Sequence, residues 1–261
     1  MISIITITYN DFSGLKKTLS SIPDFDFIES IIINGGSDKA TLDFLSLHKG
    51  KVINEQDDGI ADAFNKGIAN ASGGAVMFLN SSDELIEPGY LKETEDILLK
   101  NTEVDFVHSN LIIIDSIGTE LYVRPPLCNL GRGLPYLHPT MIVRKSVFDR
   151  IGLFSKNYKI AMDFDFIVRL ELKGYKGFYV NHNAVVKMEG TGKSVEQEFD
   201  AIKECYKSLK KNNFLNLKNS FGMMVRIALF FLRKLMTVIG MGGLLRNLKK
   251  EKHSFKKIAK V

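Results

Sequence analysis

Cysteine is nearly absent from the chain. Cys128 and Cys205 are the only two, with no metal-ligand spacing and no disulfide framework, which fits a reducing compartment. Long apolar runs are also missing. The stretch Met223–Met236 is interrupted by Arg226, Arg233 and Lys234, short of the roughly 20 predominantly apolar residues that a spanning helix needs. No secretory n-region precedes the first apolar run, and there are no internal repeats or low-complexity tracts. Met188-Glu189-Gly190-Thr191-Gly192-Lys193-Ser194 is glycine-rich but lacks the Gly-x-x-x-x-Gly-Lys spacing of a phosphate loop, which excludes a Walker-type nucleotide site. The basic residues lack interleaved aromatics, which argues against nucleic acid as a partner.

What the chain does have is alternation of apolar strands and helices. Met1–Tyr9 is a β-branched run that reads as a buried first strand. Leu15, Leu19 and Ile22 share one helical face over 13–22, with Ser13 as the expected N-cap and Pro23 as the stop. Strands follow at 30–33, 51–53 and 75–79, with helices at 41–47 and 60–71 between them. Such alternation predicts a mostly parallel α/β sheet with helices on both faces. Asn34-Gly35-Gly36-Ser37-Asp38 supplies a tight turn that brings backbone near a ligand. Asp57, Asp58, Asp62 and Asp83 stand where strands end, and strand C-termini border the ligand crevice of an open α/β sheet. A carboxylate there can hold Mg²⁺ or Mn²⁺ against a diphosphate, because hard cations take oxygen ligands and often need only one or two protein carboxylates.

Four pieces occur in order: Ile7-Thr8-Tyr9-Asn10, Asn34-Gly35-Gly36-Ser37, Asp57-x-Gly59-Ile60-x-Asp62-Ala63-x-Asn65-Lys66-Gly67, and Phe78-Leu79-Asn80-Ser81-Ser82-Asp83. Together they resemble the family 2 glycosyltransferases of bacterial surface-polysaccharide pathways, of O-antigen or capsule type, over about residues 1–190. The resemblance implies a GT-A fold, a UDP-sugar donor and Mn²⁺ or Mg²⁺. Thr8 and Asn10 match the first-strand donor segment. Asn34 stands where the family has an aspartate against the uracil ring, and an amide still offers a donor and an acceptor to a pyrimidine edge. Asp57, Asp62, Lys66 and Ser82 complete the implied donor set, with Lys66 near a phosphate. In the strand-end motif only the last residue is acidic, so the resemblance puts the metal on Asp83. The blander alternatives are a solvated loop beginning at Asp83-Glu84 and an exposed i,i+4 ion pair between Asp62 and Lys66.

The second half reads as a strand at 104–107, a turn at 115–118, a strand at 120–123 and a flap-length loop marked by Pro125-Pro126 and Gly131-x-Gly133. Phe164, Ile167, Val168 and Leu170 fit a helix packed on the sheet, with Asp163 at its start directed to the groove. This segment resembles the family's acidic acceptor-side pair, which is Met162-Asp163 here, so the implied base is Asp163. A sugar hydroxyl is a poor nucleophile and an inverting transferase needs a carboxylate to take its proton. The alternative for Asp163 is an N-cap of its own helix. His138 is assigned to the acceptor or phosphate side, with a structural histidine as the alternative. Asp165 is placed on the same side, or paired with Arg169 at i,i+4.

Two regions are expected: a catalytic domain over 1–210, with donor half about 1–100 and acceptor half about 101–210, and a helical, basic segment over 211–261. The formal charge of +5 is uneven, because residues 218–261 hold eleven Lys and Arg against Glu251 alone, leaving the remainder acidic. An interfacial helix at the cytoplasmic face of a bacterial inner membrane fits that tail, with a helix packed on the domain as the alternative. The expected activity is transfer of a hexose or N-acetylhexosamine (Gal, Glc, GlcNAc or GalNAc) to a glycan on undecaprenyl diphosphate. Other classes left open are a non-catalytic nucleotide-sugar or lipid-binding protein and a sugar nucleotidyltransferase.

Overall fold

The computed structural model describes residues 1–126, 129–190 and 192–241; Cys128, Thr191 and the basic end 242–261 lie outside them. Its first half is a run of strand–helix units: β1 (Ile2–Thr8), α1 (Phe12–Ser21), β2 (Ile28–Asn34), α2 (Lys39–Ser46), β3 (Lys51–Asn54), α3 (Ile60–Asn70) and β4 (Ala75–Phe78). β1 pairs in parallel with β2 and β4, and β2 with β3. Asp11 rather than Ser13 caps α1, its carboxylate accepting from Gly14 N–H, while Asp38 caps α2 through Thr41 N–H at 2.9 Å.

The second half adds β5 (Glu84–Leu85), α4 (Gly89–Lys100), β6 (Phe106–His108), β7 (Leu111–Ile114), β8 (Glu120–Val123), β9 (Ile142–Arg144), α5 (Lys145–Ile151), α6 (Met162–Leu172), β10 (Gly177–Tyr179), β11 (Val186–Glu189), α7 (Lys193–Glu196), α8 (Glu198–Lys211) and α9 (Leu217–Val238). The main sheet runs β10-β6-β9-β4-β1-β2-β3, and a smaller one runs β5-β11-β7-β8. Only β9 opposes its neighbours in the main sheet, antiparallel to β4 and β6. It starts where β4 ends, so the 3-10 turn His138–Thr140 ahead of it stands at the C-terminal edge of the parallel strands.

Both faces of the sheet are apolar, as parallel strands covered on both sides require. On one face Ile5, Ile31, Ile33, Val76 and Phe78 join Phe64 of α3, Phe166 and Ile167 of α6, Ile202 and Leu209 of α8, and Met223 and Phe230 of α9. The alternate residues Ile2, Ile4, Ala75, Met77 and Leu79 face Tyr90 and Leu91 of α4 and Val185–Val186 of the small sheet. Gly67 lets α3 approach β1, since a Cβ there would come 2.4 Å from Ile5 Cγ2. α8 and the inward face of α9 thus share the core of the catalytic body.

Candidate active site

β1, β2 and β3 end together, and their C-terminal loops enclose a groove of about 460 Å³ lined by Tyr9, Asn34, Gly36, Leu42, Asn54 and Gln56, among others. Backbone bonds hold its rim: Gly35 N–H donates to Thr8 O at 3.1 Å and Asn10 N–H to Gly36 O at 3.0 Å. Asn10 adopts a left-handed φ of 50°, which asparagine tolerates better than most residues. The ring of Tyr9, 69% exposed, lies beside Gly36, where a Cβ would stand 3.1 Å from the ring. An exposed aromatic at a polar groove is a stacking platform for a flat ring. Sequence reading passed over Tyr9, although an aromatic just beyond a buried strand was the available signal.

The expected donor residues divide. Asp57 stands at the groove wall: its carboxylate packs on Gly35, where a Cβ would meet Oδ2 at 1.9 Å, and accepts Gly59 N–H. Asn34 is buried and uses its amide internally, donating to Asn54 Oδ1 and accepting from Gly36 N–H and Ser37 Oγ. It shapes the groove floor. Thr8 is buried with its Oγ1 unpartnered. Lys66 is tied to Gln56 O at 2.6 Å and pairs with Glu55 and Asp62. Asp62 accepts from Lys156 at 3.0 Å and from Asp58 N–H, and the Lys156 ammonium leads the contacts that hold its carboxyl below the usual range. Lys156 also reaches Asp58 at 2.9 Å, so the loop ahead of α6 is latched to the start of α3.

The strand-end motif departs further from expectation. Asp83 is 6% exposed and its Oδ2 accepts Asn80 N–H; burial pushes its carboxyl up to about 7, against the Asn80 hydrogen bond and the Lys17 charge. Ser82, at a left-handed φ of 76°, donates with Ser81 to Asp11 Oδ2, at 3.1 and 2.8 Å. Burial raises the Asp11 carboxyl, but hydrogen bonds from Ser81, Gly14, Ser82 and Ser13 outweigh it and keep it below the usual range. Among the described residues no three His, Cys, Asp or Glu converge as a metal site, and Asp83, turned inward and holding Asn80 N–H, does not fit a cation ligand as it stands.

On the other side of the edge, His138 is buried and stacks against Phe64 and Phe78 at ring distances of 5.6 and 5.5 Å. Burial lowers its pKa, with Asp163 pulling the other way, so the imidazole is neutral and near that carboxylate. Asp163 occupies the first turn of α6, half-buried, accepting Phe164 N–H at 2.7 Å; the N-cap is Ala161, not Asp163. The chain entering α6 is held by Glu204 of α8, whose carboxylate accepts Lys159, Ile160 and Ala161 N–H at 2.9–3.0 Å. An anion on those unpaired amides is well matched to the helix dipole. Glu204 had no sequence signal, since its targets are backbone groups some forty positions away. Asp165 turns away from the crevice. It is 2% exposed and accepts from Arg169 Nε, Ser208 Oγ and Asn212 Nδ2 at 3.0, 2.8 and 3.2 Å, so the acceptor-side placement gives way to a bolt between α6 and α8. Arg169 in turn donates to Ile151, Gly152 and Leu153 carbonyls at the end of α5.

A parallel sheet with a groove across its first three strand ends and a carboxylate-bearing helix beyond the reversed strand defines a GT-A glycosyltransferase. The fold is similar to that of S. aureus TarS 1-349 in complex with UDP-GlcNAc, at TM-score 0.61 and 17% identity, covering 90% of this chain and 72% of that one. It is likewise similar to the mannosyltransferase PcManGT from Pyrobaculum calidifontis in complex with GDP-Man and Mn²⁺, at TM-score 0.60 and 13% identity, covering 94% and 79%. The chain belongs to Glycosyl transferase family 2, whose pattern matches residues 3–189. An uncharacterised glycosyltransferase of Mycobacterium tuberculosis is 30% identical over 181 residues, 66% of this chain and 69% of that protein.

Proposed function

We propose that the protein is an inverting glycosyltransferase that moves a hexose or N-acetylhexosamine from a UDP-sugar to a lipid-linked glycan of a surface polysaccharide. The observation that carries this reading is the separation of two chemistries along one sheet edge. The groove at Tyr9, Asn34 and Gly36, backed by Asp57 against Gly35, suits a nucleoside, and Asp163, whose charge reaches His138, supplies a carboxylate for the attacking hydroxyl. UDP-GlcNAc in TarS supports a uridine donor, although PcManGT holds GDP-Man on the same fold.

In this mechanism the acceptor oxygen attacks the anomeric carbon as the bond to the diphosphate breaks, and Asp163 takes the hydroxyl proton, a contribution of about 10²–10⁴ in rate. Glu204 fixes the start of α6 and the Asp165–Arg169 pair fixes its far side, so the base is held by packing rather than by its own loop. Mn²⁺ or Mg²⁺ enters the reading through relatives such as PcManGT. Undecaprenyl diphosphate as carrier, an O-antigen or capsule pathway, attachment through 218–261 and a site at the cytoplasmic face of a bacterial inner membrane are parts of the same proposal, supported by the resemblance and the basic tail.

The test is release of nucleoside diphosphate from a panel of nucleotide sugars with membrane-lipid extract, with Mn²⁺ or EDTA, comparing wild type with Asp163→Asn. One UDP-sugar turned over by wild type, and at least about 100-fold more slowly by the variant with donor binding retained, is the expected result. A variant within twofold of wild type places the base elsewhere. Donor binding without turnover under every acceptor condition favours the non-catalytic nucleotide-sugar-binding reading, to which the inward Asp83 lends support.

A further inference from the structure

α9 is apolar on two opposite sides. Asn219, Gly222, Met223 and Phe230 are buried against the body, which accounts for one stripe. On the other side Leu217, Phe221, Met224, Leu232, Leu235 and Val238 recur every three to four residues or a multiple of that, and stand 93, 64, 61, 50, 58 and 83% exposed. With about 100° between successive residues, these positions form a single outward stripe. At roughly 1.5 Å per residue the stripe runs the length of a helix about 33 Å long. A continuous exposed apolar face of this extent marks a docking surface.

Charge selects the occupant. α9 contains no Asp or Glu; its exposed cations Lys218 and Lys234 lie beside and behind the outward stripe rather than within it, while Arg233 pairs with Glu198 of α8. The chain continues for twenty residues beyond the described ones with seven Lys and Arg against Glu251. Apolar residues facing outward with cations at their flanks match the boundary between acyl chains and anionic headgroups. A second copy seated on the same stripe would set these cations against one another. Among the described residues no helix is long and apolar enough to cross a membrane, so the helix would lie in the plane of the surface.

The inward side of α9 touches the loop that leads into the His138 turn. Gly131 N–H donates to Asn219 Oδ1 at 3.3 Å, and Gly131 fits so tightly that a Cβ would stand 2.0 Å from the Asn219 carbonyl oxygen. Gly222 packs against Asn129 and Arg132 in the same way. The Gly131-x-Gly133 loop therefore rests on the back of α9.

We propose that α9 docks in the plane of an anionic bilayer through the Leu217–Val238 stripe and holds the 129–133 loop on its far side, one helix diameter (~10 Å) from the lipid, where the hydroxyl of a lipid-linked glycan would arrive. The docking stands independently of the glycosyltransfer reading; only the identity of the arriving group rests on it. The experiment is co-sedimentation of the full chain with vesicles of phosphatidylglycerol and phosphatidylethanolamine, or of phosphatidylcholine alone, with amide hydrogen exchange read over 129–133. The comparison variant is Phe221→Glu/Leu235→Glu, both positions exposed, with circular dichroism and UDP affinity confirming that the body is intact.

The expected result is about tenfold or better partitioning to the anionic vesicles, weakened by salt, lost by about tenfold in the variant, and accompanied by slower exchange at 129–133. Failure of wild type to bind, or equal binding by the variant, overturns the surface. A concentration-dependent dimer abolished by the same variant assigns the stripe to a second copy instead. Unchanged exchange at 129–133 on bound vesicles removes the loop from the proposal. Failure of the glycosyltransfer reading would appear separately, as vesicle binding without nucleotide-sugar binding.

Discussion

Replacing Asp165 by asparagine separates a bolt from an acceptor contact. The carboxylate is almost fully enclosed and receives three donors from Arg169, Ser208 and Asn212. Asparagine keeps the shape and one acceptor oxygen but removes the charge opposite Arg169 and turns an amide N–H₂ toward other donors. Breaking a buried ion pair from one side costs about 3–5 kcal/mol. Arg169 retains three carbonyl acceptors and its side chain is 17% exposed, so the lower end applies, about 3 kcal/mol. For a chain of this size that is a fall in Tm of roughly 6–12 °C. The chain has no tryptophan, so urea unfolding followed by far-UV circular dichroism is the suitable assay. Turnover per folded molecule should stay within about threefold, because the side chain faces α8. A variant that keeps its stability to within about 0.5 kcal/mol while losing turnover a hundredfold would refute the argument and return Asp165 to the acceptor side.

Tyr9→Ala should weaken UDP binding by about 5- to 150-fold, the 1–3 kcal/mol of one base–aromatic stack, with unfolding free energy unchanged; titration calorimetry reads both the affinity and its absence. Burial lowers the His108 pKa to about 4, below the unfolded value near 6.5, so its contribution is present above pH 6.5 and lost as pH falls toward 4. Wild type should lose up to about 3 kcal/mol relative to His108→Phe across that window, and a pH-independent difference between the two unfolding curves would contradict it. Asp83→Asn, which preserves an acceptor for Asn80 N–H, should leave any Mn²⁺ response of turnover within about threefold; a loss of 10- to 100-fold in apparent Mn²⁺ affinity, the scale of a lost ligand-shell contact, would restore Asp83 as a metal ligand.

The first four strands and three helices were legible because parallel units write local, period-coded signals: Ile31, Ile32 and Ile33 are buried on alternate faces, and Asp38 and Pro23 punctuate the helices beside them. β9 left little signal. Three residues whose register runs against β4 owe their place to long-range pairing rather than to pattern, and the small sheet joining β5, β7, β8 and β11 is assembled from segments a hundred positions apart. The site divided along the same line. Asp57 and Asp163 stand at element ends, where sequence position nearly fixes location. Asp83 and Asp165 occupy equally suggestive positions, yet both turn inward, because one rotation about the helix or turn exchanges solvent for core and no spacing rule records it. Asp11 and Glu204 left no signal because each acts through backbone or through a partner remote in sequence, whereas Tyr9 carried one, an exposed aromatic just beyond a buried strand.

The grip of Glu204 on three successive amides sets what can change around the base. Its carboxylate reads N–H groups and not side chains, so the grip itself asks of positions 159–161 only that none becomes proline, Ala161 being constrained separately by its burial in the core, while a change at 204 is felt at all three together. A substitution on α8 would thus masquerade as a defect of the active site, and divergent relatives could rewrite the loop before Asp163 without moving it, the placement of the base being inherited from a helix that never meets the sugar.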